Sequence, residues 1–273
     1  MKTRIITAAV LLCILVPVLI LSHTFLYIVF AALLALVATY EMLSCMRLAK
    51  KLPLLVSSVI YSVLTVSLTR VNGSFTKIFV CTTFLYLFAL LAFAVFGNEK
   101  ERERLPEIML AAALIVYITF GFSSFVTVRD MPRGAFLFPL AYIAAWVSDT
   151  GAYFVGLKFG KKKLIPDISP KKTVEGFFGG LGSCALVFII YAIFVGALSP
   201  VKPSWFWIIL GSVLLSAASV VGDLIASMIK RRYKIKDYSR IFPGHGGVLD
   251  RFDSIIVTTA LVYILNSVTP FFK

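Results

Sequence analysis

SWFWIILGSVLLSAASVVGDLIASMI, residues 204–229, decides how the rest of the chain is read. As a helix it is long enough to cross the roughly 30 Å of a bilayer's hydrocarbon, and its one charged residue is Asp223. A soluble amphipathic helix would interrupt such a run with a polar face at every turn. Here the polar residues keep to one line. Ser216, Ser219, Asp223, Ser227 and, just beyond, Lys230 recur at spacings of three and four, which stacks them on a single face. The segment reads as a transmembrane helix with a polar seam. A carboxylate inside the bilayer costs about 2.5–3.5 kcal/mol on insertion scales, so it is a functional hypothesis by default.

The pattern extends along the chain. Of 273 residues, 60% are hydrophobic and 15% charged, whereas a soluble domain is nearer half apolar and a quarter charged. The apolar residues gather into runs at 5–22, 25–44, 53–69, 78–96, 108–128, 135–157, 176–198, 204–229 and 254–272. The expected architecture is therefore an all-α polytopic membrane protein of about nine transmembrane helices. Lys2, Arg4 and the first apolar run have the look of a signal peptide, but no small-x-small site follows, and the run is expected to stay as a first helix. Residues 1–130 read as packing helices that also shape lipid access, with Glu41 the only acid inside an apolar run. The alternating charges of 99–104 read as a solvated helix extension. Residues 131–273 read as the catalytic region, with two basic loops at 158–175 and 230–253.

A net charge of +14 would suggest nucleic acid in a soluble protein. Here basic loops facing anionic lipid explain it, and no nucleic-acid partner is expected. With nine spans, alternate loops sort 21 of the 27 basic residues onto the side of the N-terminus. The positive-inside rule then places the N-terminus and both basic loops in the cytoplasm of a plasma-membrane protein. A cysteine introduced at Asn98 should accordingly be sealed from an impermeant thiol reagent outside the cell, and one at Ser199 should react; the reverse pattern would refute this topology. Cys13, Cys45, Cys81 and Cys184 lack CxxC spacing and read as buried thiols, with neither disulfides nor a metal site.

A second seam runs through 135–157, where Tyr142, Trp146, Asp149, Tyr153 and Gly156 share a face. Either aspartate could serve as polar glue between helices, but two acids on seams that lead to lysine-rich loops favour a functional reading. The small residues of GFFGGLG, 176–182, read as a close helix contact. The first loop carries six lysines among prolines and glycines; Lys171, Lys172 and Thr173 suit phosphate. On charge alone, an orientation signal that binds headgroups would explain it as well. The second loop, SMIKRRYKIKDYSRIFPGHGGVLDRFD at 227–253, combines Lys230, Arg231, Lys236 and Arg251 with a glycine turn around His245. Asp237, Asp250 and Asp253 supply carboxylates, the last two placed to face one way at a helix start. With Asp223, these are hard oxygen donors suited to magnesium and substrate phosphates.

The run Ser-x-Ile-Lys-Arg, four residues, Lys-Asp-x-Ser, then Phe-Pro-x-His-Gly-Gly-Val-x-Asp-Arg-Phe-Asp closely resembles the signature of the phosphatidate cytidylyltransferase family, with no departure at a defining position. Residues 148–153 and 169–176 resemble a second region of that family, and the clear likeness covers about 142–260. The resemblance implies CTP and phosphatidate as substrates, CDP-diacylglycerol and pyrophosphate as products, and Mg2+ as cofactor. It makes Asp223 and Asp250 the first metal ligands. Asp149 comes third, with orienting a ligand or a basic side chain as its alternative role. Lys230, His245 and Asp253 join the catalytic set; Lys171, Lys172, Thr173, Lys230, Arg231, Lys236 and Arg251 would hold phosphates. For His245, proton movement, phosphate binding and a purely structural turn stay open. A groove between the sixth, eighth and ninth spans would admit the lipid sideways while CTP arrives from the cytoplasm. The alternatives are a related CTP-dependent lipid transferase or polyprenol kinase, and then a transporter, whose inverted repeats the sequence lacks. The oligomeric state is left open, a homodimer included.

Overall fold

The computed structural model describes residue 13 and residues 16–70, 74–97 and 104–273. The expected first span at 5–22 falls mostly outside these residues, as does the alternating-charge stretch 99–103. The described residues form helices α1 Phe25–Cys45, α2 Leu52–Leu68, α3 Phe75–Phe96, α4 Leu105–Asp130 and α5 Gly134–Phe159. A hairpin of β1 Lys163–Ile165 and β2 Ser169–Thr173 follows, then α6 Val174–Leu198, α7 Trp205–Arg232 and α8 Leu249–Val268. Seven of these helices are long and apolar enough to cross a membrane, and α2, with 17 residues, is a shorter apolar helix. The protein is an all-α polytopic membrane protein. Seven of the expected spans from residue 25 onward match their helices to within three residues; the last helix does not.

The chain divides into two compact units, residues 1–127 with 233–251, and residues 128–232 with 252–273. In the first unit α1 packs on α2 and α2 on α3. The α2–α3 seam is a polar ladder of antiparallel register. Ser58 Oγ meets Tyr86 OH at 2.9 Å, Tyr61 OH meets Thr83 Oγ1 at 2.8 Å, and Thr65 Oγ1 donates to Thr82 Oγ1 at 3.0 Å. The Tyr61 and Tyr86 rings stack at 4.4 Å. Lipid tails are as apolar as the helices, so association relies on such packing and hydrogen bonds, each bond worth about 0.6 kcal/mol. On α3, Phe84, Leu85, Phe88 and Leu91 are exposed, an apolar face that suits hydrocarbon and would aggregate in water. Cys81 lies among them and is exposed rather than buried, as is Cys13; Cys45 and Cys184 are buried, and all four are free thiols.

The second unit is built on α5, α6 and α7, with α5 against both others. Its core gathers Leu137, Ala141, Ala144, Cys184, Phe188, Leu215, Val262 and Phe271. The close contact expected at 176–182 is present. A β-carbon on Gly179 would stand 2.4 Å from that of Val155, and one on Gly180 would stand 2.8 Å from the Ser148 carbonyl oxygen. From α8, Thr258 Oγ1 donates to the Ala141 carbonyl at 3.0 Å and Ser254 Oγ to that of Ser219 at 3.2 Å.

The α8 boundaries depart from the expected 254–272. The helix stops at Val268, because Pro270 has no N–H and cannot continue the ladder. The tail turns back instead. Lys202 and Lys273 exchange backbone hydrogen bonds at 2.9 and 2.8 Å, Ser204 N–H donates to the Phe271 carbonyl at 2.8 Å, and Phe271 is fully buried. The early start at Leu249 has its cause in side chains of the first unit, described below.

Candidate functional site

The site in the second unit starts from the hairpin. Ser169 and Pro170 open a strand too short and too charged to hold alone, and its neighbours pin it. The Glu175 carboxylate accepts from the Lys161 N–H at 3.0 Å and the Lys162 N–H at 3.2 Å. Thr173 ends β2 and is the N-cap of α6, its Oγ1 accepting from the Gly176 N–H at 3.1 Å. The first basic loop, for all its prolines and glycines, is thus a braced antiparallel hairpin in the register Lys163 with Thr173 and Ile165 with Ser169.

Beneath the hairpin lies a cavity of about 480 Å³. Lys163, Lys171, Lys172 and Thr173 form its basic wall, Asp149 and Asp223 its acidic one, and Tyr153, Leu157, Phe177 and Val220 an apolar side. The two seams meet here. Ser148 Oγ and Ser216 Oγ are 2.7 Å apart in the buried interior, and Asp149 and Asp223 reach the same space one residue and two turns further along their helices. Lys172 Nζ lies 2.7 Å from Asp223 Oδ2 and Ser227 Oγ donates to Asp223 Oδ1 at 3.4 Å. Asp149 feels the charges of Lys172 and Asp223, and Asp253 feels those of Asp223, Lys230 and Asp149. Of the expected residues, the structure therefore brings Asp149, Lys172, Asp223, Lys230 and Asp253 into one charged cluster, with Lys171 and Thr173 on its wall. Arg231 and Arg251 are exposed on their helices.

Among the described residues no three His, Cys, Asp or Glu side chains converge closely enough to chelate an ion. The donor chemistry nonetheless fits magnesium, which takes one or two carboxylates and completes its shell with substrate phosphates and water.

The remaining expected residues lie, with Arg251, in the first unit: Lys236, Asp237 and His245 on the loop before α8, and Asp250 in its first turn. Lys236 and Asp237 are exposed. His245 sits in a tight turn where Phe242 and Gly246 form a bridge, its Nδ1 shielded from solvent and without a hydrogen-bond partner among the described residues. Gly246 has φ +86°, a conformation open to glycine, and a β-carbon there would stand 2.8 Å from Asp250 Oδ2. Asp250 turns this oxygen back on the loop, accepting from the Tyr238 N–H at 2.8 Å and the Gly247 N–H at 2.9 Å. Glu41, read as a packing residue on α1, does the same with three donors: Ser239 Oγ at 2.6 Å, Val248 N–H at 2.9 Å and Leu249 N–H at 2.8 Å. The first N–H groups of a helix lack intrahelical partners. The Glu41 carboxylate supplies the partner for Leu249 and for Val248 just before it, so α8 begins at Leu249.

Fold and site together define a class: a polytopic membrane protein with an acid–lysine cluster under a lysine-rich hairpin, suited to anionic headgroups and phosphates. The sequence profile of the cytidylyltransferase family matches residues 2–269. The chain belongs to that family. It is 35% identical to the phosphatidate cytidylyltransferase of Staphylococcus epidermidis over 268 residues, covering 97% of this chain and 98% of that one. The enzymes of that name from Staphylococcus aureus, over 269 residues, and Staphylococcus haemolyticus, over 268, are also 35% identical, with the same coverage.

Proposed function

We propose that the protein is a phosphatidate cytidylyltransferase, joining CTP and phosphatidate into CDP-diacylglycerol with release of pyrophosphate. The observation that carries this reading is the Asp149–Lys172–Asp223–Asp253–Lys230 cluster beside a cavity with one basic and one apolar side, in a chain so similar to enzymes of that name. A phosphate oxygen of phosphatidate attacks the α-phosphorus of CTP, and the bond to the β-phosphate oxygen breaks. The attacking phosphate is already anionic, so no strong base is needed. The work is to neutralise two polyanions and align them.

Lys171, Lys172 and Lys163 line the cavity wall where phosphates would lie, and Thr173 stands beside them. Lys172 keeps the Asp223 charge compensated until a polyanion competes for its ammonium group. Tyr153, Leu157 and Phe177 offer the apolar side to the lipid's acyl end. Asp223, with Asp149 and Asp253 around it, would hold Mg2+, which when bound offsets phosphate charge and polarises the α-phosphoryl group. Asp250 remains a proposed ligand, with Oδ2 already bonded to two backbone N–H groups. Both basic loops are proposed to face the cytoplasm, where CTP is found.

The test uses purified protein, CTP labelled in the α-phosphate, phosphatidate and magnesium. Label should enter the organic phase as lipid-linked CMP with one pyrophosphate per lipid, and chelation should abolish it. No lipid-linked product with any phosphatidate species refutes the reading. A polyprenol kinase would instead label its lipid from the γ-phosphate of CTP.

A further inference from the structure

An acid buried within an apolar helix demands an explanation, and Glu41 is 1% exposed. Its own helix supplies none: the three groups it accepts from lie 198 to 208 residues further along the chain. They are the hydroxyl of Ser239 and two successive backbone N–H groups, those of Val248 and Leu249, where the loop becomes α8. The preceding N–H, of Gly247, goes to Asp250 Oδ2. Gly247 also lets the backbone approach, since a β-carbon on it would stand 2.3 Å from Glu41 Oε1. Both ends of the loop thus hang on the Glu41 carboxylate: Ser239 at its start and Val248 and Leu249 at its end. Between them lie Phe242, the Gly244–Gly246 turn and His245.

We infer that Glu41 is a positioning residue for the reaction, holding the 238–249 loop in its working conformation. The inference rests on the reading above that this loop serves cytidylyl transfer. The carboxylate is suited to the task because it is acceptor-only and two-pronged, matching three converging donors. A glutamine of the same size must turn its amide NH2 toward at least one of them, which leaves a buried N–H or hydroxyl unsatisfied. Outer-shell partners of this kind typically change activity 10–100-fold when replaced.

The experiment compares wild type, Glu41→Gln, Glu41→Asp and Gly247→Ala in lipid nanodiscs, by steady-state kinetics and by amide hydrogen exchange. In Glu41→Gln, kcat should fall about 10–100-fold, with exchange at Val248 and Leu249 faster by about tenfold or more. Exchange in α2 and α3 should stay close to wild type, and the melting temperature should fall by no more than several degrees. Glu41→Asp keeps the acceptor and should recover part of the rate. Gly247→Ala should reproduce the Glu41→Gln kinetics by displacing the carboxylate. Unchanged kcat in Glu41→Gln, or faster exchange spread evenly over the whole chain, overturns the inference. If wild type itself makes no lipid-linked CMP, the functional reading fails; a localised change in exchange would still establish Glu41 as the loop's anchor, and its absence would refute that too.

Discussion

Asp223→Asn should lower turnover about a thousandfold, at the upper end of what a single charge-stabilising contact in a low-dielectric site contributes, while leaving most of the fold intact. The asparagine keeps the side chain's shape and its contact with Ser227. It removes the charge that faces Lys172 Nζ at 2.7 Å and that Asp149 and Asp253 both sense. The structural cost is an ammonium group that loses its paired carboxylate and keeps the charge of Asp149 nearby. For a fully buried pair that would be about 3–5 kcal/mol, but these side chains are 22% and 29% exposed, so about 1–3 kcal/mol is the better figure. A loss of that size moves the melting temperature by several degrees and cannot account for a thousandfold loss in folded, assayed protein.

The double variant separates the two effects. Lys172→Met added to Asp223→Asn removes the stranded ammonium, and the melting temperature should return most of the way to wild type. Turnover should not return, because the groups proposed to receive phosphates and cation are then both gone. If the double variant is active, or if Asp223→Asn alone keeps more than about a tenth of wild-type kcat, the pair is structural glue and the reaction lies elsewhere. The measurement is lipid-linked CMP per minute per mole of monodisperse protein, read beside thermal unfolding of the same samples.

The logic that made Asp223 legible in the sequence also marks where such reading stops. An acid on an otherwise apolar helix has few ways to be satisfied, and the three- and four-residue spacing shows which face it uses, so the Asp149 and Asp223 seams are legible in the sequence. Glu41 is also an acid in an apolar run, yet its sequence context reads as packing. Two of its three partners are backbone N–H groups, which every residue but proline carries and which leave no mark in a sequence. The same blindness hid the true start of α8, because its cap comes from another helix and not from the residues before it. The hairpin at 163–173 was hidden for a related reason: lysines and prolines are poor strand formers, and the pairing depends on Glu175 holding two N–H groups from across the turn. Close helix packing was easier to foresee, since only small residues permit it.

That packing yields the second large effect, and one whose sign reverses within a single turn of α6. Gly179→Leu should destabilise the protein by about 3 kcal/mol, the upper range for overpacking, and lower the melting temperature by roughly 10 °C. A β-carbon at position 179 meets Val155 Cβ at 2.4 Å, an atom fixed to the α5 backbone that cannot swing aside. The helices must separate, and α5 and α6 between them carry Asp149, Tyr153, Gly176 and Phe177 of the cavity lining, so activity should fall with stability. At Gly182 an added β-carbon meets nothing within 4 Å. There Gly182→Leu should be neutral or stabilising by up to about 1 kcal/mol, because leucine is the better helix former. A swap of sizes supplies the control. Val155→Gly combined with Gly179→Ala moves the β-carbon to the opposite helix and should recover much of the lost melting temperature relative to Gly179→Ala alone. Equal melting temperatures for Gly179→Leu and Gly182→Leu would mean that α5 and α6 do not touch through Gly179, and the cavity geometry built on that contact would have to be abandoned.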